Sequence, residues 1–146
     1  MPNLTLAIIK PDAVGSGKTG LIVAHLERAG FVLRAVRLVR LTRAQASKFD
    51  DLHRGRPFFA DLIQFMTSGP CLPMTLQREH AVSQLRTVIG VTDPADAAPG
   101  TIRKLYAESK RRNAIHASDS LENARREIAF FFPEGELVEL SRDHLP

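Results

Sequence analysis

The sequence predicts a layered α/β or α+β sandwich. Three observations lead there: short apolar β-prone runs alternate with segments of helical period, glycines stand where those helices should stop, and no repeat or linker divides the chain. A chain of 146 residues buries roughly 70% of its unfolded surface without staples, so residues 1–146 are read as one domain.

Leu4 to Ile9 is a continuous apolar run closed by Lys10-Pro11-Asp12, which reads as a buried strand with Lys10 at its exit. After Gly15-Ser16-Gly17 comes a helix with Leu21, Ile22, Leu26 and Ala29 on one face and Gly30 as its stop. Phe31 to Val39 returns as a strand, and Thr42 with Gln45 forms a capping box for a short helix through Phe49. Pro57 suits the first turn of a helix from Phe58 to Met66 that Gly69-Pro70 closes. Cys71 to Leu76 reads as a strand interrupted by Pro73. Ala81, Val82, Leu85, Val88 and Ile89 share a helix ended by Gly90, and a Pro-rich loop follows from Val91 to Gly100. Ala114 to Ala117 reads as an edge strand. Asp119 or Ser120 caps a last helix with Leu121, Ala124, Ile128 and Phe131 on one face, and Pro133 to Pro146 reads as an ordered tail.

Composition narrows the function. One cysteine, Cys71, cannot pair within the chain and sits among apolar residues, which fits a reducing cytoplasm and argues against a thiol enzyme. No run approaches the ~20 apolar residues of a membrane span, and Met1-Pro2-Asn3 lacks a signal-peptide layout. The net charge of +4 favours anionic partners, either nucleotides or nucleic acid.

The stretch Asn113-Ala114-Ile115-His116-Ala117-Ser118-Asp119-Ser120 places a lone imidazole among small hydrogen-bonding residues just before a helix start. Taken by itself, such a histidine is commonly a solvated capping residue. Its chemistry is nevertheless suggestive, because imidazole can attack phosphorus and release it again, and a helix N-terminus offers N–H groups to anions. Gly15-Ser16-Gly17-Lys18-Thr19 imitates a phosphate-binding loop, but the spacing fails: Asp12 stands where the first glycine should be. Arg34, Arg37, Arg40 and Arg43 read as a solvated or partner-facing surface, whereas Arg86 and Arg103, near Thr92 and Thr101, are placed to clamp phosphate. Phe58 or Phe59 offers a platform for a base, and His25, His53, His80 and His144 read as surface residues.

Together, Ala7-Ile8-Ile9-Lys10-Pro11-Asp12, Arg56-Pro57-Phe58-Phe59, Met66-Thr67-Ser68-Gly69-Pro70, Pro99-Gly100-Thr101-Ile102-Arg103 and Asn113 to Ser120 stand in one known order. The chain resembles the nucleoside diphosphate kinases from Leu4 to about Phe132. The resemblance implies a ferredoxin-like βαββαβ sandwich with a four-stranded antiparallel sheet and additional helices. It implies a ping-pong transfer of the γ-phosphate of ATP or another nucleoside triphosphate to nucleoside diphosphates, through a phosphohistidine at His116 and with broad base tolerance. By the same carry-over, Ser118 and Glu127 orient the imidazole, Lys10 and Asn113 bind the sugar hydroxyls, Phe58 stacks on the base beside Leu62, and Arg86, Thr92 and Arg103 hold the phosphates. Mg2+ arrives with the nucleotide, with Asp119 touching it through water or merely capping the final helix. A homo-oligomer is implied, either a hexamer or a tetramer of dimers, with the 93–100 loop at contacts.

Two positions depart from the pattern. Asp50 stands where the family usually has tyrosine, so its carboxylate turns outward, or Phe49 fills the space, or activity falls. Ala117 replaces the usual glycine after the histidine, which costs about 1 kcal/mol if the backbone needs φ > 0 and nothing if it is extended. The rival readings are an RNA-recognition module and a family member with slow or lost catalysis. The first is disfavoured because Leu4 to Ile9 and Cys71 to Leu76 carry no stacking aromatics, which leaves nucleic-acid binding incidental.

Overall fold

The computed structural model describes residues 3–133 and 135–138. The elements run β1 (Leu4–Ile9), α1 (Pro11–Gly15), α2 (Thr19–Arg28), β2 (Val32–Val36), α3 (Arg43–Phe49), a 3-10 turn (Asp51–His53), α4 (Phe59–Met66), β3 (Leu72–Gln77), α5 (Ala81–Ile89), α6 (Ile102–Tyr106), β4 (Ile115–Ala117) and α7 (Leu121–Phe131). Four strands form one sheet in the order β2-β3-β1-β4, and every neighbouring pair is antiparallel.

All six β1 residues are buried because β1 lies inside the sheet and both faces are covered. Leu4, Leu6 and Ile8 point into a core shared with α3, α4 and α7, while Ala7 and Ile9 point into the core under α2, α5 and α6. The period-2 alternation of β4 repeats this division. Ile115 and Ala117 join the second core, and His116, paired in register with Ile8, turns to the α3 and α7 side.

Local chemistry explains the element ends. Thr42 Oγ1 accepts from Gln45 N at 3.1 Å while Gln45 Oε1 accepts from Thr42 N at 2.9 Å, completing the expected capping box. Of the two candidate caps for α7, Ser120 does the work, accepting from Asn123 N at 3.1 Å.

Several expectations needed correction. Leu21 is 54% exposed, because neighbours on a helix diverge by about 100° and Ile22 takes the core-facing direction. β2 is shorter than Phe31 to Val39: a bulge between Leu33 and Ala35 breaks its register, and Val39 makes only an isolated bridge to Cys71. Pro73 does not interrupt β3; it pairs with Ile8, and its carbonyl accepts from Arg37 N at 3.1 Å. The short helices α1 and α6 were not read from sequence. In the expected C-terminal tail, Glu134 and residues 139–146, including His144, lie outside the described residues.

Candidate active site

The end of β4 is held by residues distant in sequence. Ala114 has φ +75°, and Ile115 N donates to Asn113 O at 2.9 Å, so residues 113–115 form a classic γ-turn in place of the first strand residue expected there. Such a backbone costs of order 1–3 kcal/mol and persists only when its surroundings hold it. They hold both polar atoms of Ala114 and the carbonyls on either side of it. Asp12 Oδ2 accepts from Ala114 N at 3.0 Å and Lys10 N donates to Ala114 O at 2.8 Å. Arg103 donates through Nη2 to Ile115 O at 2.7 Å and through Nε to Asn113 O at 3.4 Å.

The turn brings several of the sequence-predicted residues together. Lys10 Nζ donates to Asn113 Oδ1 at 2.8 Å, and Asn113 Nδ2 donates to Thr92 O at 3.3 Å. Arg103 also donates through Nη1 to Gly90 O at 3.0 Å, which leaves the second N–H of each terminal nitrogen for an incoming oxygen. Burial, then the neighbouring Arg86, lowers the Arg103 guanidinium to about 10. Burial and then Arg103 lower the Lys10 ammonium to about 8, against the opposing pull of Asp12 and Asp50. Two cations and the Asn113 amide therefore converge beside the strand that carries His116.

The imidazole itself is fixed from one side. His116 Nε2 lies 2.7 Å from Glu127 Oε1, and Ser118 Oγ donates to the same oxygen at 2.8 Å. Glu127 is 4% exposed, so a buried carboxylate from the α7 face grips a half-buried ring. Phe49 packs its ring against the imidazole at 5.5 Å and 75°, the edge-on arrangement that aromatic quadrupoles favour. Arg86 is exposed on α5 and reaches Ala117 O at 3.4 Å.

The two departures from the family pattern resolve differently. Ala117 is absent from the residues with positive φ and lies in β4, so its methyl costs nothing there, and the strained backbone sits three residues earlier at Ala114. Asp50 ends α3 half-buried, within electrostatic reach of His116, His53, Lys10 and Glu127. Burial pushes its carboxyl above the ordinary value. It does not turn outward, and Phe49 fills the space against the imidazole.

Other predicted residues stand apart from this cluster. Phe58 is 45% exposed at the start of α4 with its ring 5.5 Å from that of His53, and Leu62, on the same helix, is partly buried in the α4 core. Asp119 accepts from Asn123 Nδ2 at 2.6 Å, and that bond lowers its carboxyl below the ordinary value. Lys18 of the false phosphate loop donates to Tyr106 O at 3.1 Å. Among the described residues, no group of three or more His, Cys, Asp or Glu could hold a metal ion, and no helix is long and apolar enough to cross a membrane. The sequence carries no clear sign of the work of Asp12 and Arg126, whereas Phe49 takes the place expected of it beside Asp50. The only trace of Asp12's role in the sequence is its place just after the Lys10 strand exit.

A sandwich that sets one imidazole beside a cation-lined backbone turn defines a phosphotransferase architecture. Residues 3–137 match the family model "Nucleoside diphosphate kinase". A nucleoside diphosphate kinase of Chlorobium chlorochromatii is 54% identical over 134 residues, 92% of this chain and 96% of the relative. One of Phenylobacterium zucineum is 52% identical over 138 residues, 94% and 99% of the two chains. Among solved structures, the Aquifex aeolicus enzyme superposes with a TM-score of 0.91 at 42% identity, covering 93% of this chain and 99% of that one. The Halobacterium salinarum enzyme in complex with CDP does so with 0.92 at 39%, covering 98% and 95%. The chain belongs to the nucleoside diphosphate kinase family, and it is an enzyme that transfers phosphate from nucleoside triphosphates to nucleoside diphosphates.

Proposed function

We propose that His116 is the nucleophile, attacking the γ-phosphorus through Nδ1 to give a pros-phosphohistidine that a second nucleoside diphosphate discharges. The observation that supports this most is the contact between His116 Nε2 and Glu127 Oε1 at 2.7 Å. A neutral imidazole that donates Nε2–H to a carboxylate keeps its lone pair on Nδ1, the nitrogen able to form the bond to phosphorus. That bond forms as the bond to the leaving diphosphate oxygen breaks in line; in the return step the attacking diphosphate oxygen displaces the imidazole. Ser118 holds Glu127 Oε1 and so the ring's orientation.

Positioning and charge supply the remaining catalysis. Arg86, Arg103 and Thr92 hold the phosphates, Lys10 and Asn113 hold the sugar hydroxyls, and exposed Phe58 stacks on the base with Leu62 beside it. Stacking on a π face, without a hydrogen-bonding pocket for the base edge, accounts for broad base tolerance. The donor set fits Mg2+ that arrives on the phosphates rather than in a protein cage, since the site's side chains near the imidazole are mainly cationic; Asp119 would meet the ion through water. When bound, Mg2+ would supply charge neutralisation to the phosphates that Arg86, Arg103 and Thr92 hold.

We place the enzyme, as one domain over residues 1–146, in the cytoplasm, in keeping with the lone buried Cys71. A homo-oligomer, hexamer or tetramer of dimers, accords with β2 at the sheet edge and with exposed Val36 and Leu38 beside it. Nucleic-acid binding is incidental to its charge. Incubation with γ-labelled ATP and Mg2+ should give an acid-labile, alkali-stable phosphoprotein that GDP discharges as GTP. An unlabelled wild type, or full labelling of His116→Ala, would overturn the assignment of the nucleophile.

A further inference from the structure

Glu127 uses one oxygen twice, because Oε1 meets both His116 Nε2 and Ser118 Oγ. Its other oxygen, Oε2, lies 3.5 Å from Arg126 Nη2. Consecutive helix residues point about 100° apart, so helical register alone does not bring this pair together. The Arg126 guanidinium reaches across to the end of α3, where Nη1 donates to Phe49 O at 3.3 Å and Cζ stands 5.9 Å over the Phe49 ring. Phe49 is 3% exposed and carries the edge-on contact to the imidazole. The carbonyl that Arg126 binds is in the last turn of α3, where a helix leaves acceptors without intrahelical partners and where positive charge is favoured.

One side chain thus touches both supports of the ring, the carboxylate on Nε2 and the aromatic on its flank. We propose that Arg126 is a positioning residue for phosphoryl transfer: by fixing Glu127 Oε2 and Phe49 O at once it clamps His116 between them, and its charge offsets the Glu127 carboxylate so that the imidazole stays an uncharged nucleophile. This rests on His116 being the nucleophile. The charged and titratable groups around the ring are Lys10 after β1, Asp50 at the end of α3, His53 in the turn that follows, Arg86 on α5, Arg103 on α6, and Arg126 with Glu127 on α7. Of these, only Arg126 is in contact with the carboxylate that holds the ring. Without it, the uncompensated charge of Glu127 favours the imidazolium, which cannot attack.

The test compares wild type, Arg126→Gln and Arg126→Lys by rapid-quench labelling of His116 with γ-labelled ATP between roughly pH 5 and pH 9, together with GDP affinity and melting temperature. Arg126→Gln should keep GDP affinity and lower the labelling rate at neutral pH by about 3- to 10-fold, with the acid limb of the rate profile moved to higher pH. Arg126→Lys, which keeps the charge, should return the limb towards its wild-type position. Wild-type rate and limb in Arg126→Gln would overturn the proposal. So would a slower Arg126→Gln with an unmoved limb and a lowered melting temperature, the signature of a mere staple between α3 and α7. A wild type that takes no label on His116 instead removes the nucleophile reading, and the inference with it.

Discussion

Asp12 Oδ2 accepts the backbone N–H of Ala114 at 3.0 Å across a separation of 102 residues, and so holds the one strained turn beside the imidazole strand. Asp12 is 6% exposed, and its Oδ1 has no hydrogen-bond partner. A buried carboxylate with a single bond is costly unless that bond maintains something the fold requires. Here that requirement is a left-handed alanine.

Asp12→Ala should therefore cost about 1–3 kcal/mol in urea unfolding, the penalty for stranding a buried N–H. Ala114→Gly removes the positive-φ penalty, so the loss from Asp12→Ala should be smaller in the Ala114→Gly background. A double-mutant cycle showing strict additivity would separate the two residues energetically.

Gly90 is required twice. Its φ is +90°, and an added Cβ would fall 2.7 Å from Thr101 Oγ1 and 2.9 Å from Thr101 Cβ. Gly90→Ala should cost roughly 2–4 kcal/mol from left-handed strain and overpacking together. It also shifts the carbonyl that Arg103 Nη1 binds at 3.0 Å. Calorimetry should show the lower melting temperature, and kinetics a raised KM for nucleotide.

Lys10 loses its proton near pH 8 in the free enzyme, because burial and Arg103 lower it from 10.5 to about 8. A base depressed in the fold stabilises fully above its unfolded value and loses that contribution as pH falls through its folded value. Two outcomes follow. Lys10→Gln should raise stability at neutral pH relative to wild type, with the gain gone above about pH 10.5. In activity, kcat/KM should show a basic limb near pH 8 in wild type that Lys10→Gln lacks, since that ratio reports the free enzyme.

Asp50 titrates in the opposite sense. Its carboxyl is raised by burial, with His116 the largest opposing influence. Its contribution is therefore complete below the ordinary value of 3.8 and lost as pH rises through the folded value. Asp50→Asn should raise the melting temperature at neutral pH, with a difference that vanishes on acidification towards that ordinary value. Removing a negative charge near the phosphate acceptor should also speed labelling of His116 by roughly 2- to 5-fold. Equal rates in the two proteins would show that the carboxylate exerts no field on the transferred group.

Much of the fold was legible because it depends on local rules. The apolar run Leu4 to Ile9, the Thr42 and Gln45 box and the cap before Leu121 each carry their own signal, and all three elements form where the residues place them. Strand ends were less legible. The bulge in β2 and the passage of β3 through Pro73 depend on which neighbour each strand meets, which short-range pattern does not contain. The carried-over residues fared according to distance. His116, Ser118 and Glu127 come together, as do Lys10, Asn113, Thr92 and Arg103, whereas Phe58 and Leu62 lie on a separate helix.

The amino-acid sequence by itself determined the layered architecture, the family and the octapeptide around His116, since hydrophobic period, capping chemistry and ordered motifs are properties of neighbours along the chain. Only the tertiary structure decided that Ala114 rather than Ala117 carries the backbone strain, that Asp50 is half-buried within electrostatic reach of the imidazole, and that Phe49 and Arg126 brace it. The physical reason is that strain and field come from groups far apart in sequence: a turn is held by partners as distant as Asp12, and a carboxyl is raised by what buries it.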